Sequence, residues 1–183
     1  MTAPPIQFAP LSLQTMEALI AGDLQAARTL SGAPLTEYFA ADMVWLWKIR
    51  VEQLRREPER AEWIAAAVIS VPEGEAVGVA GFHGPPDDGG MVEVSYSVDP
   101  RYRRRGFARA MLAALVDRAT TDPHVAVVRA TISPDNEASL ATIAAFGFTK
   151  VGEQIDEEDG LEFLFELPVP EPVEGNQHSE GAS

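Results

Sequence analysis

Between Met91 and Ile132 the chain changes its hydrophobic period twice, and few folds accommodate the order of those changes. Met91–Val98 alternates along its length, the pattern of a strand with two different faces. Arg101 to Arg109 then carries five of the fourteen basic residues within nine positions, with Gly106 among them. Beyond it, Ala108, Met111, Leu112, Leu115, Val116 and Ala119 fall at i, i+3, i+4, i+7, i+8 and i+11, one apolar stripe of a helix facing a sheet. Val125–Ile132 then reads as a buried strand. Strand, helix and strand in this order make the second strand a parallel neighbour of the first. The turn between them has its own chemistry. A glycine at the first turn of a helix lets main-chain N–H groups approach a ligand closely, and unpaired N–H donors with the helix dipole attract anions. The implied ligand group is a phosphate or pyrophosphate, with arginine charge assisting. The spacing matches neither the Gly-x-x-x-x-Gly-Lys of a nucleotide P-loop nor the three glycines of a dinucleotide fingerprint.

The rest of the chain supplies the elements around this unit. Ile6–Leu11 is expected as a first strand, Leu13–Ala21 and Leu24–Leu30 as short helices, the second capped by Asp23. Thr36–Glu57 reads as one longer helix with Phe39, Met43, Leu46, Val51 and Leu54 inward and Pro58 as its stop. Glu62–Val71 and Ala76–Phe82 are expected strands joined by the turn Pro72-Glu73-Gly74-Glu75, and a second turn, Gly84 to Gly90, leads into Met91. Asn136–Phe146 is a helix, and Phe148–Ile155 with Leu161–Leu167 a hairpin through an acidic tip. Residues 1–167 are expected to form one domain, and 168–183 an acidic, disordered tail rich in Pro, Glu, Gly and Ser.

A net charge of −14 argues against nucleic acid as a partner, because phosphate contacts need an exposed basic surface. The local arginine patch suits one small anion instead; roughly a third of those arginines are expected merely to solvate the helix end. After Lys150 there are ten acidic residues and no Lys or Arg. Without cysteine the chain has neither disulfides nor a thiolate nucleophile, and the scattered His83, His124 and His178 give no metal constellation. The start Met1-Thr2-Ala3-Pro4-Pro5 lacks the pattern of a signal peptide, and no apolar run has the length to span a bilayer, so the expected location is cytoplasmic, away from membranes.

Arg103-Arg104-Arg105-Gly106-Phe107-Ala108 resembles the Gln/Arg-x-x-Gly-x-Gly/Ala signature of the GCN5-related N-acetyltransferase (GNAT) family, whose turn holds the pyrophosphate of acetyl-coenzyme A. Val98-Asp99-Pro100 is similar to the family's strand end, and Glu93–Val98 to its fourth strand. Asn136-Glu137-Ala138-Ser139, followed by Gly147-Phe148, resembles the Asn-x-x-Ser/Ala…Gly-Phe pattern bordering the pantetheine arm. By element order the likeness covers roughly Glu62 to Leu167. It implies an α/β (α+β) fold: a mixed, mostly antiparallel sheet of six to seven strands flanked by helices, its central parallel pair splayed apart. It also implies acetyl-CoA as co-substrate, no metal, and transfer of the acetyl group to a primary amine of a small molecule or, second, to a protein N-terminus. A different class of reading is an acyl-CoA-binding sensor or scaffold with little catalysis. The exposed sheet edges leave room for a homodimer.

The cofactor contacts implied by the resemblance are Tyr96, Ser97 and Val98 along the strand, Arg103, Arg104, Arg105, Gly106, Phe107, Ala108 and Arg109 at the turn, and Asn136 and Ser139 on the following helix. Direct attack on a thioester needs a neutral amine, donors for the developing oxyanion and a proton for the leaving thiolate. Glu93 is the candidate general base; by alternation it shares a face with Ser95 and Ser97. Where family members carry a catalytic tyrosine, seven positions after the asparagine, this chain has Ile143. Where the ribosomal-protein alanine acetyltransferases carry a glutamate, five positions before it, this chain has Thr131. Tyr96 and Ser139 are the remaining general-acid candidates. Asn136 suits a helix cap and Gly147 a C-cap. Of the aromatic group Tyr38, Phe39, Trp45 and Trp47, most are expected in the core, with Trp47 and Lys48 lining an acceptor site and His83 as an auxiliary base.

Overall fold

The computed structural model describes residues 3–64, 66–156 and 160–170. Seven strands form one sheet in the order β1-β2-β3-β4-β5-β7-β6. They are β1 (Ile6–Pro10), β2 (Ala66–Ser70), β3 (Glu75–Phe82), β4 (Met91–Val98), β5 (Val127–Ile132), β6 (Thr149–Asp156) and β7 (Gly160–Pro168). Every neighbouring pair is antiparallel except β4 with β5, which is parallel. The mixed sheet with one central parallel pair is the fold the sequence implied.

Helices cover both faces. On one lie α1 (Leu13–Ile20), α2 (Leu24–Ser31), α3 (Glu37–Ala41) and α4 (Val44–Arg56), whose core includes Met16, Leu19, Phe39 and Trp47. On the other lie α5 (Phe107–Thr121) and α6 (Glu137–Ala144), packed on Phe82, Val92 and Val128. Local chemistry sets the helix starts. The Ser12 hydroxyl accepts from Thr15 N–H, the Asp23 carboxylate from Ala26 N–H, and Asn136 Oδ1 from Ser139 N–H.

Three expectations need correction. The single helix over Thr36–Glu57 is two, because Asp42 and Met43 both direct their N–H groups at the Tyr38 carbonyl and the chain restarts at Val44. The break lets Tyr38 and Phe39 enter the core on one helix, Met43 at the junction, and Leu46, Trp47 and Arg50 on the next. The strand expected from Glu62 begins at Ala66, since Pro58–Glu62 forms a 3₁₀ turn with proline at its start. In α5 the buried set is Phe107, Ala110, Met111, Leu112, Leu115 and Ala119, so Ala108 belongs to the site described below and Val116 is only half-buried. At the other end, β7 pairs as far as Pro168, and Val169 N–H donates to the Ala126 carbonyl. The acidic hairpin tip at 157–159 and the tail from 171 onward lie outside the described residues.

The parallel pair is short. β4 and β5 match at Met91–Val127, Val92–Val128 and Glu93–Arg129, and no further. From Val94 onward β4 pairs only with β3, and from Ala130 onward β5 pairs only with β7. The sheet therefore opens between the two strands on the side toward Gly106. Gly78 on β3 makes this arrangement close-packed: a Cβ there would stand 2.2 Å from the Ser97 carbonyl oxygen and 2.8 Å from Met111 Cε. Glycine to alanine commonly stabilises by about 0.4–1 kcal/mol through the unfolded chain. Here the clash with main-chain oxygen outweighs that gain. Gly78→Ala is expected to destabilise by about 1–3 kcal/mol, read as a lower midpoint in urea unfolding.

Candidate active site

Two backbone hydrogen bonds reveal which atoms of β4 face the opening. Asp99 N–H donates to the Val77 carbonyl and His83 N–H to the Glu93 carbonyl, both toward β3. Antiparallel pairing alternates, so Glu93, Ser95, Ser97 and Asp99 turn their main-chain groups to β3, while Val94, Tyr96 and Val98 turn theirs to the opening. Tyr96 thus offers its N–H and carbonyl along one wall of a slot, with the Val94 carbonyl and the Val98 N–H on either side, while the Val98 carbonyl already accepts from Arg103 Nε at 3.3 Å.

At the end of the slot the chain makes an anion cradle. Arg104 has φ +59°, the only left-handed non-glycine among the described residues, and Gly106 has φ +84°. Backbone turned this way points successive N–H groups inward. Gly106 is the N-cap of α5 and no side chain caps that helix. The first helical bond runs from Ala110 N–H to the Gly106 carbonyl, which leaves the N–H groups of Phe107, Ala108 and Arg109 without intrahelical partners. A cavity of about 500 Å³ opens over them, lined by Tyr96, Ser97, Val98, Tyr102, Arg103, Arg104, Gly106, Phe107, Ala108, Arg109, Asn136, Ala138, Ser139 and Thr142.

The five clustered arginines divide their work. Arg103, Arg104 and Arg109 line the cavity. Arg109 also lies 6.0 Å from the Phe146 ring centre, tying the turn to the end of α6. Arg105, expected among the cofactor contacts, pairs instead with Glu73 and stacks over Tyr102 and Phe107 at 5.3 and 5.6 Å. Its side chain does not line the cavity. Arg101 grips the buried Asp99 through Nε and Nη2, the latter at 2.8 Å. Burial pushes the Asp99 carboxyl up, but the Arg101 hydrogen bonds and charge outweigh it and hold its pKa below the usual carboxylate value. These two arginines therefore secure the strand end and the turn on which the other three stand.

A second cavity, of about 860 Å³, lies on the α4 side, with Trp45, Ile49, Arg50 and Gln53 from α4, His83 after β3, Glu93 and Ser95 from β4, and Gln154, Asp156 and Glu162 from the hairpin among its walls. The two cavities share Tyr96, Asn136 and Ser139. The candidate base Glu93 stands in the second, with His83 Nδ1 3.8 Å from its Oε2. Burial and then the Arg50 charge pull the His83 pKa down while Glu93 opposes them; the net direction is down, so the imidazole is neutral at pH 7. Tyr96 sits at the junction. Its hydroxyl is shut away from solvent without a well-formed hydrogen bond, beside Ser139 and Thr142. Burial raises its pKa, the two neighbouring hydroxyls only moderating the effect, so the phenol keeps its proton throughout the neutral range. Ser97, on the opposite face of β4, shares a 2.6 Å hydrogen bond with Tyr38. Thr131 lines the second cavity, and Ile143 is buried in the core of α6.

Two acceptor-side expectations are corrected. Trp47 is fully buried, its Nε1 donating to the Phe39 carbonyl at 2.7 Å and its ring stacked on Phe39. Lys48 lines a different depression, between α1 and α4. The aromatic residue that α4 supplies to the second cavity is Trp45, 60% exposed. Arg50, Gln53 and Thr142 were missed from the sequence. The available signal for Arg50 was its spacing, seven residues after Met43 on the inward stripe of α4.

The pattern describing the acetyltransferase (GNAT) domain matches residues 8–149, most of the chain. The protein belongs to the GNAT acetyltransferase family. Among curated relatives, this GNAT chain is 32% identical over 82 residues to an L-2,4-diaminobutyric acid acetyltransferase of Streptomyces coelicolor, covering 44% of this chain and 48% of that protein. The matching stretch spans less than half the length of each of the curated relatives it resembles. Solved GNAT structures share the fold across nearly the whole chain. A ribosomal-protein-S5-alanine acetyltransferase from Vibrio fischeri superposes with a TM-score of 0.61 at 18% identity, covering 92% of this chain and 94% of that one. The microcin C7 self-immunity acetyltransferase MccE, solved in complex with acetyl-CoA and AMP, gives 0.62 at 14% identity, covering 90% and 92%. Among the described residues, no three His, Asp or Glu side chains gather as metal ligands, and no helix is long and apolar enough to cross a membrane.

Proposed function

We propose that this GNAT protein is an acetyl-CoA-dependent N-acetyltransferase that carries the acetyl group to a primary amine by direct attack on the thioester. The observation that carries the reading is the junction of the two cavities at Tyr96, Asn136 and Ser139, with an anion cradle at the far end of one and Glu93 in the other. Main-chain donors of the Arg104–Arg109 turn, with Arg103, Arg104 and Arg109, suit a pyrophosphate, and the polar edge of Val94, Tyr96 and Val98 suits the amides of a pantetheine arm. Acetyl-CoA supplies the activated acyl group there. Glu93, with neutral His83 beside it, takes the proton that the attacking amine must lose. Backbone N–H groups of β4 that face the slot stabilise negative charge developing on the thioester oxygen.

Tyr96 donates its hydroxyl to the departing sulfur and so stands in for the tyrosine that Ile143 replaces. A phenol with a raised pKa is a weak proton donor to a good leaving group, so the effect is modest. Tyr96→Phe is expected to lower kcat about tenfold, toward the small end of acid–base contributions, with acetyl-CoA affinity unchanged in calorimetry. An unchanged kcat removes Tyr96 from the chemistry.

The relatives' own acceptors differ, a diamino acid for one and a ribosomal protein for another, and do not select the acceptor here. The whole reading is tested by titrating acetyl-CoA into the protein and then following thiol release with a panel of amines. Micromolar binding followed by amine-dependent release supports it. Tight binding with no turnover on any amine favours a sensor or scaffold, and no binding removes both.

A further inference from the structure

We propose that the acceptor amine carries a carboxylate, and that Arg50 is the residue that holds it: the acceptor class is an amino acid, not a plain amine or polyamine. This deepens the acetyltransferase reading and rests on it.

Arg50 is unusual in its surroundings. It stands on the inward stripe of α4, is 3% exposed, and yet forms part of the wall of the cavity that contains Glu93. One donor is occupied, Nη1 giving a 2.8 Å hydrogen bond to Gln53 Oε1. Its Nε is shut away from water with no partner. Its one side-chain hydrogen bond among the described residues goes to an amide, not to a carboxylate, and Glu93 acts on it through charge. Burial lowers its pKa to about 10, with Glu93 opposing, so the guanidinium remains charged at neutral pH.

A buried cation with an unmade donor is costly unless something completes it. The planar fork of a guanidinium matches a carboxylate through two parallel hydrogen bonds, and its fit to a ligand carboxylate accounts for every oddity at once. A polyamine would instead bring further ammonium groups toward a buried cation. The same cavity offers the complementary sign for the amine, with Glu93 and the hydrogen-bonded Gln154–Glu162 pair. One cavity thus presents a cation for a carboxylate and carboxylates for an ammonium, the charge pattern of a zwitterion.

The experiment compares matched ligands that differ only in the carboxylate. Protein saturated with desulfo-CoA, an unreactive analogue, is titrated calorimetrically with the common amino acids, ornithine and 2,4-diaminobutyrate, and with the amines left by removing their carboxyl groups. The ligands that bind are then assayed for turnover with acetyl-CoA. At least one amino acid is expected to bind roughly tenfold or more tighter than its decarboxylated partner, the scale of a charged hydrogen-bonded pair. In Arg50→Met that preference disappears, in Arg50→Lys part of it survives, and affinity for acetyl-CoA stays at the wild-type value in both. Amines binding as well as their parent amino acids, the preference surviving in Arg50→Met, or no amino acid binding at all overturns the inference. The wild-type comparison decides even if the methionine variant does not fold. Failure of acetyl-CoA itself to bind wild type overturns the underlying acetyltransferase reading, which is a separate result.

Discussion

In the Gly106→Trp variant, calorimetry is expected to show acetyl-CoA affinity reduced at least about a hundredfold, equivalent to roughly 3 kcal/mol. Two effects combine. Gly106 holds φ +84°, where an L side chain costs on the order of 1–2 kcal/mol. A Cβ at 106 would already lie 3.3 Å from Pro4 Cδ, so the indole must either displace that segment or enter the cavity that Gly106 lines. Gly106→Ala separates the two, adding strain without bulk, and is expected to lose much less affinity. Circular dichroism confirms that both variants fold. Wild-type affinity in a folded tryptophan variant would place the cofactor elsewhere and remove the basis for the reaction.

Loss of the Glu93 carboxylate is the second large effect. Glu93→Gln is expected to lower kcat/KM by about 10²- to 10⁴-fold, the range of a positioned general base, while leaving acetyl-CoA affinity intact. The pH profile adds a signed check. His83 has its pKa pulled below 6.5, so it is neutral at pH 7 and charges only as the pH falls through that lower value. Below it, protonated His83 and Glu93 become an ion pair and neither accepts a proton readily. The acid limb of kcat/KM should therefore lie below pH 6.5. Because Glu93 raises the His83 pKa, its neutralisation should move the residual limb further toward acid. Glu93→Gln with wild-type kcat/KM at pH 7 would show that another group, or water, does this work.

The central unit was legible because its signals are local. The alternation of Met91–Val98 sets both its boundaries and its faces, and a glycine beside clustered arginines announces the turn. Asp23 and Asn136 were readable as caps because a cap is a short-range interaction between a side chain and an N–H three residues on. What escaped depends on distant contacts. The break at Asp42–Met43 interrupts the helical phase, and an uninterrupted reading assigned Trp47 and Lys48 to the acceptor wall where Trp45 and Ile49 stand. Arg50 occupies an apolar-stripe position, but a charged residue there reads as solvent-facing until the burial is seen. Which arginine meets the ligand also depends on the far side of the fold: Arg105 is claimed by Glu73, 32 residues earlier, and Arg101 by a buried aspartate.

The parting of β4 from β5 creates a pair of raw edges in the middle of a sheet, where a protein ordinarily has none. At a sheet margin such edges invite other chains to add a strand. Here they lie between helices α5 and α6 on one face of the sheet and α4 on the other. A slim linear molecule with amides spaced along it can mend the seam as a missing strand would. A ligand that completes the hydrogen bonding of the fold stabilises it in proportion to its concentration, by about 2.7 kcal/mol at a hundred times its Kd. With acetyl-CoA as that molecule, as proposed above, its supply would set how much of the protein stands folded as well as how fast it works.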